Sequence, residues 1–107
     1  MLDAKGLVPL KRIMVIGVCT VVLEIPASQS LKDKRRVVKS IMAKVRNQYN
    51  ASIAEVDAND ARQSAVLGIA CVSNDATYAH RLLTKIVEMI GNSRFDAEVA
   101  EYQIEIL

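Results

Sequence analysis

Apolar residues recur along this chain with two different periods, and the switches between them predict six elements. From Ile13 to Ile25 the chain is apolar and rich in β-branched residues until Pro26, which reads as a strand. From Ser30 to Tyr49 the spacing becomes helical, with Leu31, Val38, Ile41, Met42, Val45 and Tyr49 on one apolar stripe. Ser30 stands where an N-cap belongs, and Asp33 stands at the reciprocal position of a capping box. Ser52 to Asp57 reads as a short strand, Asn59-Asp60 as a turn and Ser64 to Ser73 as a second, more buried strand, which together make a hairpin. Ser73-Asn74-Asp75 supplies caps for a second helix with Ala79, Leu82, Leu83, Ile86, Val87 and Ile90 toward the core, closed by Gly91-Asn92. The last strand, Ala97 to Leu107, alternates: Tyr102, Ile104 and Ile106 fall on one side, Glu101, Gln103 and Glu105 on the other.

The order βαββαβ with right-handed crossovers predicts an α+β, ferredoxin-like domain. Its four-stranded antiparallel sheet should run 4-1-3-2, with two helices on one face. A chain of 107 residues has room for one core. Residues 1–12 show no periodicity and carry Gly6 and Pro9, so they are expected to form a disordered leader before a single domain over 13–107. Lys11 and Arg12 before the apolar run imitate a signal peptide, but β-branched residues and Gly17 favour a strand. The run is also too short to span a bilayer, and no membrane partner is expected.

The fold licenses no activity by itself, so each use of such a scaffold has to be tested on its residues. An RNA-recognition motif stacks bases on aromatic side chains of its central strands, and here those strands have none. Copper carriage and zinc binding need paired thiolates or Cys/His spacing, whereas Cys19 and Cys71 are solitary and apolar in setting. They are expected to be buried, reduced thiols of a cytoplasmic protein. The glycines at 6, 17, 68 and 91 are too far apart for a GxxG clamp or a phosphate-cradling loop. His80 sits between Ala79 and Arg81 as a solvent-exposed residue with no nucleophile paired to it. Asp57, Asn59 and Asp60 lack the glycine and terminal glutamate of a calcium loop and read as a polar turn. No catalytic residue, metal or cofactor is therefore expected, and the chain reads as a non-enzyme.

Charge changes this picture at one place. The chain carries a net charge of only +2, yet residues 28–50 hold seven cations and one acid while residues 51–107 hold four cations and nine acids. The cations gather in the first helix: Lys32, Lys34, Arg35, Arg36, Lys39 and Arg46 are the candidate nucleic-acid contacts. A solvated helix face is the plain alternative for any basic helix. Two features favour binding. At about 100° per residue, Lys32, Arg35, Arg36, Lys39 and Arg46 form a ridge along one flank of the apolar stripe. Four cations also occupy the first two turns, where the helix dipole disfavours positive charge by about 0.3 to 1 kcal/mol each. With the free N–H groups of the helix start, they make an anion site suited to phosphate.

The runs MVIGVCTVVLEIP (14–26), SLKDKRRVVKSI (30–41), SIAEVD (52–57) and AVLGIACVSND (65–75) closely resemble the YlxP-like family of small bacterial proteins, whose function is uncharacterised. The resemblance extends from Met14 to about Ile106 and leaves the first residues outside. It implies a ferredoxin-like fold and a cytoplasmic bacterial protein, often encoded beside translation and ribosome-maturation factors. It implies no catalytic residues. The expected function is thus a non-enzymatic accessory protein that binds RNA or a ribosomal particle through phosphate contacts from the first helix. The alternative is a small oligomeric regulatory or assembly module that takes a small anionic ligand.

A partner surface is also expected. Alternation along the first strand puts Gly17, Cys19, Val21 and Leu23 under the helices and leaves Ile16, Val18, Thr20 and Val22 on the open side. Glu55 and Asp57, with the glutamates of the last strand, are expected to rim that apolar centre. A homo-oligomer formed through Ile16, Val18 and Val22 follows.

Overall fold

The computed structural model describes residues 13–92 and 94–107, so the expected leader lies outside the described residues. The elements are β1 (Val15–Glu24), α1 (Leu31–Gln48), β2 (Ser52–Asp57), β3 (Ser64–Ser73), α2 (Ala76–Asn92) and β4 (Glu98–Ile106). They form one antiparallel sheet in the order β2-β3-β1-β4, which is the predicted order read from the other edge. Both helices cover the same face, and the fold is ferredoxin-like.

The local signals act as read, with one refinement. Ser30 caps α1, its side chain accepting from the Asp33 N–H at 3.1 Å. The Asp33 carboxylate accepts from the Gln29 N–H at 3.1 Å, one residue earlier than a standard capping box has it. At α2, Asp75 Oδ1 accepts from the Thr77 N–H at 2.9 Å. Register then decides which side chains meet. Gly17 stands opposite Cys71, Cys19 opposite Ile69, Val21 opposite Leu67 and Leu23 opposite Ala65, so these alternate positions of β1 and β3 share the helix side. There they are closed by Val38, Ile41 and Val45 of α1 and by Ala79, Leu83, Ile86 and Ile90 of α2. On β4, Tyr102, Ile104 and Ile106 pair with Val21, Cys19 and Gly17 and so share that side, although Tyr102 remains 51% exposed at the sheet edge.

Both cysteines are buried and free. Burial pushes the Cys19 thiol up from 9.0 to about 11. In the folded protein Cys19 keeps its proton where the unfolded chain releases it, so its contribution makes stability fall as pH rises from about 9 to 11. Urea midpoints across that range are expected to fall more steeply for the wild type than for Cys19→Ala. Alkylation at pH 8 should leave both cysteines untouched until urea unfolds the chain; rapid labelling of the native protein would count against their being sealed in the core.

Two expected placements are corrected. Lys34 is not a surface cation: it is fully buried. Leu31, Lys34, Val38, Ile41 and Val45 follow one another at steps of three and four, so Lys34 occupies a slot of the apolar stripe itself. Glu55 is not on the open-face rim. It stands opposite Leu67, whose side chain lies under the helices, and so points to the helix side. A β-bulge between Glu55 and Asp57 then resets the alternation and brings Asp57 opposite Val66 on the open side.

A candidate anion-binding groove on the first helix

Lys34 reaches from α1 to the β2–β3 connection. Its Nζ donates to Glu55 Oε2 at 2.9 Å, to the Ala58 carbonyl at 2.8 Å and to the Asn59 carbonyl at 3.1 Å. All three ammonium protons are thereby used, the condition under which a buried lysine is tolerated. The connection it holds is tight. Ala58 lies in the left-handed region at φ 59°, its N–H donates to Asp57 Oδ1 at 2.7 Å, and its carbonyl also accepts from the Ala61 N–H at 3.0 Å.

This clamp places the start of α1 against β2, and a groove of about 570 Å³ opens beside it. Lys32, Arg35, Arg36 and Lys39 line it, with Val38, Met42 and Glu55 as the remaining walls. All four cations are exposed. The one carboxylate in the lining is the acceptor of Lys34, so its charge is matched from within the core. Among the described residues these four cations have no acidic partner, and the groove joins them to apolar side chains. Two larger concavities lack that imbalance: one of about 710 Å³ on the outer face of α2 holds Arg81 and Lys85 beside Glu88, and one of about 750 Å³ near Pro26 holds Arg62 beside Glu24.

Of the six cations expected to bind, Lys32, Arg35, Arg36 and Lys39 are brought together, and Lys34 is removed to the core. Arg46 is exposed but stands apart, its Nη2 donating to the Ile53 carbonyl of β2 at 3.0 Å. The start of the helix is also less open than its free N–H groups suggested. Asp33 places a carboxylate there, and the Asp33 N–H is already donated to Ser30. Anion recognition falls to the side chains along the flank. Sequence reasoning missed the Lys34–Glu55 pair, although the step of three from Leu31 was a usable signal. His80 is exposed, as read, with Thr84 Oγ1 donating to its backbone carbonyl at 2.9 Å. Among the described residues no group of three or more His, Cys, Asp or Glu could hold a metal ion, and no helix is long and apolar enough to cross a membrane.

Fold and groove together define a small α+β sandwich with a basic flank. The chain belongs to the family described as "Protein of unknown function (DUF503)", whose model matches residues 16–104. It is 38% identical over 63 residues to the uncharacterized protein YlxP of Bacillus subtilis (strain 168), a match covering 59% of this chain and 68% of that one. Among solved structures it is similar to the de novo designed protein Foldit4, with a TM-score of 0.49, 16% identity and coverage of 88% of this chain and 96% of that one. It is also similar to a de novo designed protein with ferredoxin fold, LFR1 1, with a TM-score of 0.42, 20% identity and coverage of 87% and 82%.

Proposed function

We propose that this protein is a non-enzymatic, cytoplasmic accessory protein that binds RNA or a ribosomal particle through the α1 groove. The observation that carries this reading is the convergence of Lys32, Arg35, Arg36 and Lys39 on one concavity whose only acid is already paired. Guanidinium groups engage phosphate oxygens in a bidentate manner, and a row of such cations tracks a backbone without reading bases. Half-buried Met42 adds an apolar surface against which a ribose or an unstacked base can lie.

A small anionic ligand is the second reading, favoured by the groove's volume of about 570 Å³, which suits one small molecule. Salt separates the two. Each phosphate contact on single-stranded RNA adds about 0.7 to the slope of log affinity against log salt, so an RNA-bound groove responds steeply and a single small anion weakly. Fluorescence anisotropy with a labelled structured RNA is the test. The variant Arg35→Ala/Arg36→Ala/Lys39→Ala is expected to fold normally, since all three are exposed, and to lose an order of magnitude or more in affinity with a shallower salt slope. Equal binding by wild type and variant at moderate salt rules the reading out.

A further inference from the structure

The face of the sheet away from the helices has not been used by this reading, and it is apolar through its centre. Ile16 and Val18 of β1 stand opposite Val72 and Ala70 of β3, and Thr20 and Val22 stand opposite Gly68 and Val66. Val72 is 67% exposed and Val56 of β2 58% exposed. A single antiparallel sheet with one wet face should alternate apolar and polar residues, as β4 does with Glu101, Gln103 and Glu105 on this side. β1 and β3 do not.

From this we infer that the open face is the contact surface for a second copy of the same chain, stacked sheet on sheet about a two-fold axis parallel to the strands between β1 and β3. Three features select this occupant. The first is area. Four strands about 4.8 Å apart, the longest of ten residues rising about 3.3 Å each, present a footprint of roughly 500 Å² per copy, or about 1,000 Å² for the pair before surface texture is counted. That reaches the lower limit of specific interfaces.

The second feature is shape. A depression of about 340 Å³ lies on the face around Gly68, Ala70 and Ala54, bordered by Val18 and Thr20 of β1 and by Val56 of β2. β1 presents Ile16, Val18 and Val22 to the same face. An axis along the strands lays the β1 of each copy over the β3 of the other, so Val18 of each copy comes over Ala70 of the other, at the depression. Aligned stacking of this kind is a standard solution for two sheets.

The third feature is charge. Glu101 and Glu105 lie on the β4 side of the open face, opposite Val22 and Val18. An axis across the strands would lay the carboxylate row of one copy on that of the other, the arrangement that like-charge repulsion penalises most. The strand-parallel axis sets β4 over β2, so that Glu105 of one copy lies over the uncharged Ser52 of the other and a single pair of carboxylates, Glu101 and Asp57, meets at each rim. Both α1 grooves then face outward on opposite sides of the dimer and stay open to solvent.

The same axis sets Val22 of one copy over Val66 of the other, because the two residues share a register position. Sedimentation equilibrium of the full chain at micromolar concentration is expected to give twice the 11.8 kDa chain mass. Val22→Glu and Val66→Lys, prepared separately, should each sediment as a folded monomer by circular dichroism. Mixed in equal amounts, they should recover the doubled mass through the new Glu–Lys contact. A wild-type monomer overturns the proposal and leaves the face to another protein or an apolar ligand; a doubled mass retained by both single variants overturns it too. Failure of the mixture to dimerise overturns the strand-parallel axis.

Discussion

Replacing Lys34 by methionine is expected to destabilise the fold by about 3–5 kcal/mol and, at temperatures where the variant stays folded, to weaken RNA binding several-fold. The stability loss follows from what the ammonium leaves behind. Glu55, with only 15% of its side chain exposed, loses its cation, and the Ala58 and Asn59 carbonyls lose a donor. The turn they belong to holds Ala58 at a positive φ, so it has little slack with which to find other partners. The binding loss expected under the proposed function has a separate cause: Glu55 is part of the groove wall, and an unpaired carboxylate there would repel a phosphate drawn to Arg35 and Lys39. The double variant Lys34→Met/Glu55→Leu tests both at once. Removing the two charges together should bring stability back to near the wild-type value and restore the salt-dependent affinity. Urea denaturation reads the first and anisotropy the second. A single variant as stable as the wild type would show that the pair is no clamp.

Truncating Leu83 to alanine should cost about 2–5 kcal/mol, since this side chain is fully buried where α2 crosses β1. A more specific expectation concerns Gly17 beneath it. A methyl group added at Gly17 would meet Leu83 Cδ1 at 2.9 Å, Cys71 Sγ at 3.1 Å and Ala79 Cβ at 3.4 Å. Gly17→Ala alone therefore overpacks the α2 contact and is expected to destabilise by about 1 kcal/mol. In the Leu83→Ala background the nearest obstacle is gone and the same methyl enters the space that the leucine left. The double variant should lose less than the sum of the two single losses by about 1 kcal/mol, which thermal or urea unfolding resolves. Strict additivity would mean that the leucine already has room to move aside, and that Gly17 does not set the distance of α2 from the sheet.

Much of this architecture was legible along the chain because period and face are local quantities. The step from alternation to helical spacing at Ser30, the cap at Asp75 and the polar side of β4 each depend on residues a few positions apart. Burial of Lys34 belongs to the same class, since its slot between Leu31 and Val38 is set by the helix repeat. The lysine's charge, read as surface character, overrode a pattern that pointed inward.

What the sequence by itself determined is therefore the order of elements, the stripe that each helix buries, the strand order of the sheet and the ridge of cations on α1. Tertiary structure alone decided which of those cations act together. Lys34 and Glu55 are twenty-one positions apart and meet only because α1 crosses β2, and that crossing turns one flank of a helix into a groove with a second wall. It also decided the side on which Glu55 points, since a single bulged residue in β2 inverts the parity between Glu55 and Asp57. The physical reason is one of range. Hydrogen-bond geometry repeats every two or 3.6 residues and can be counted along the chain, whereas an extra residue in one strand or a contact between remote elements is fixed only when the sheet closes and the whole core selects the register.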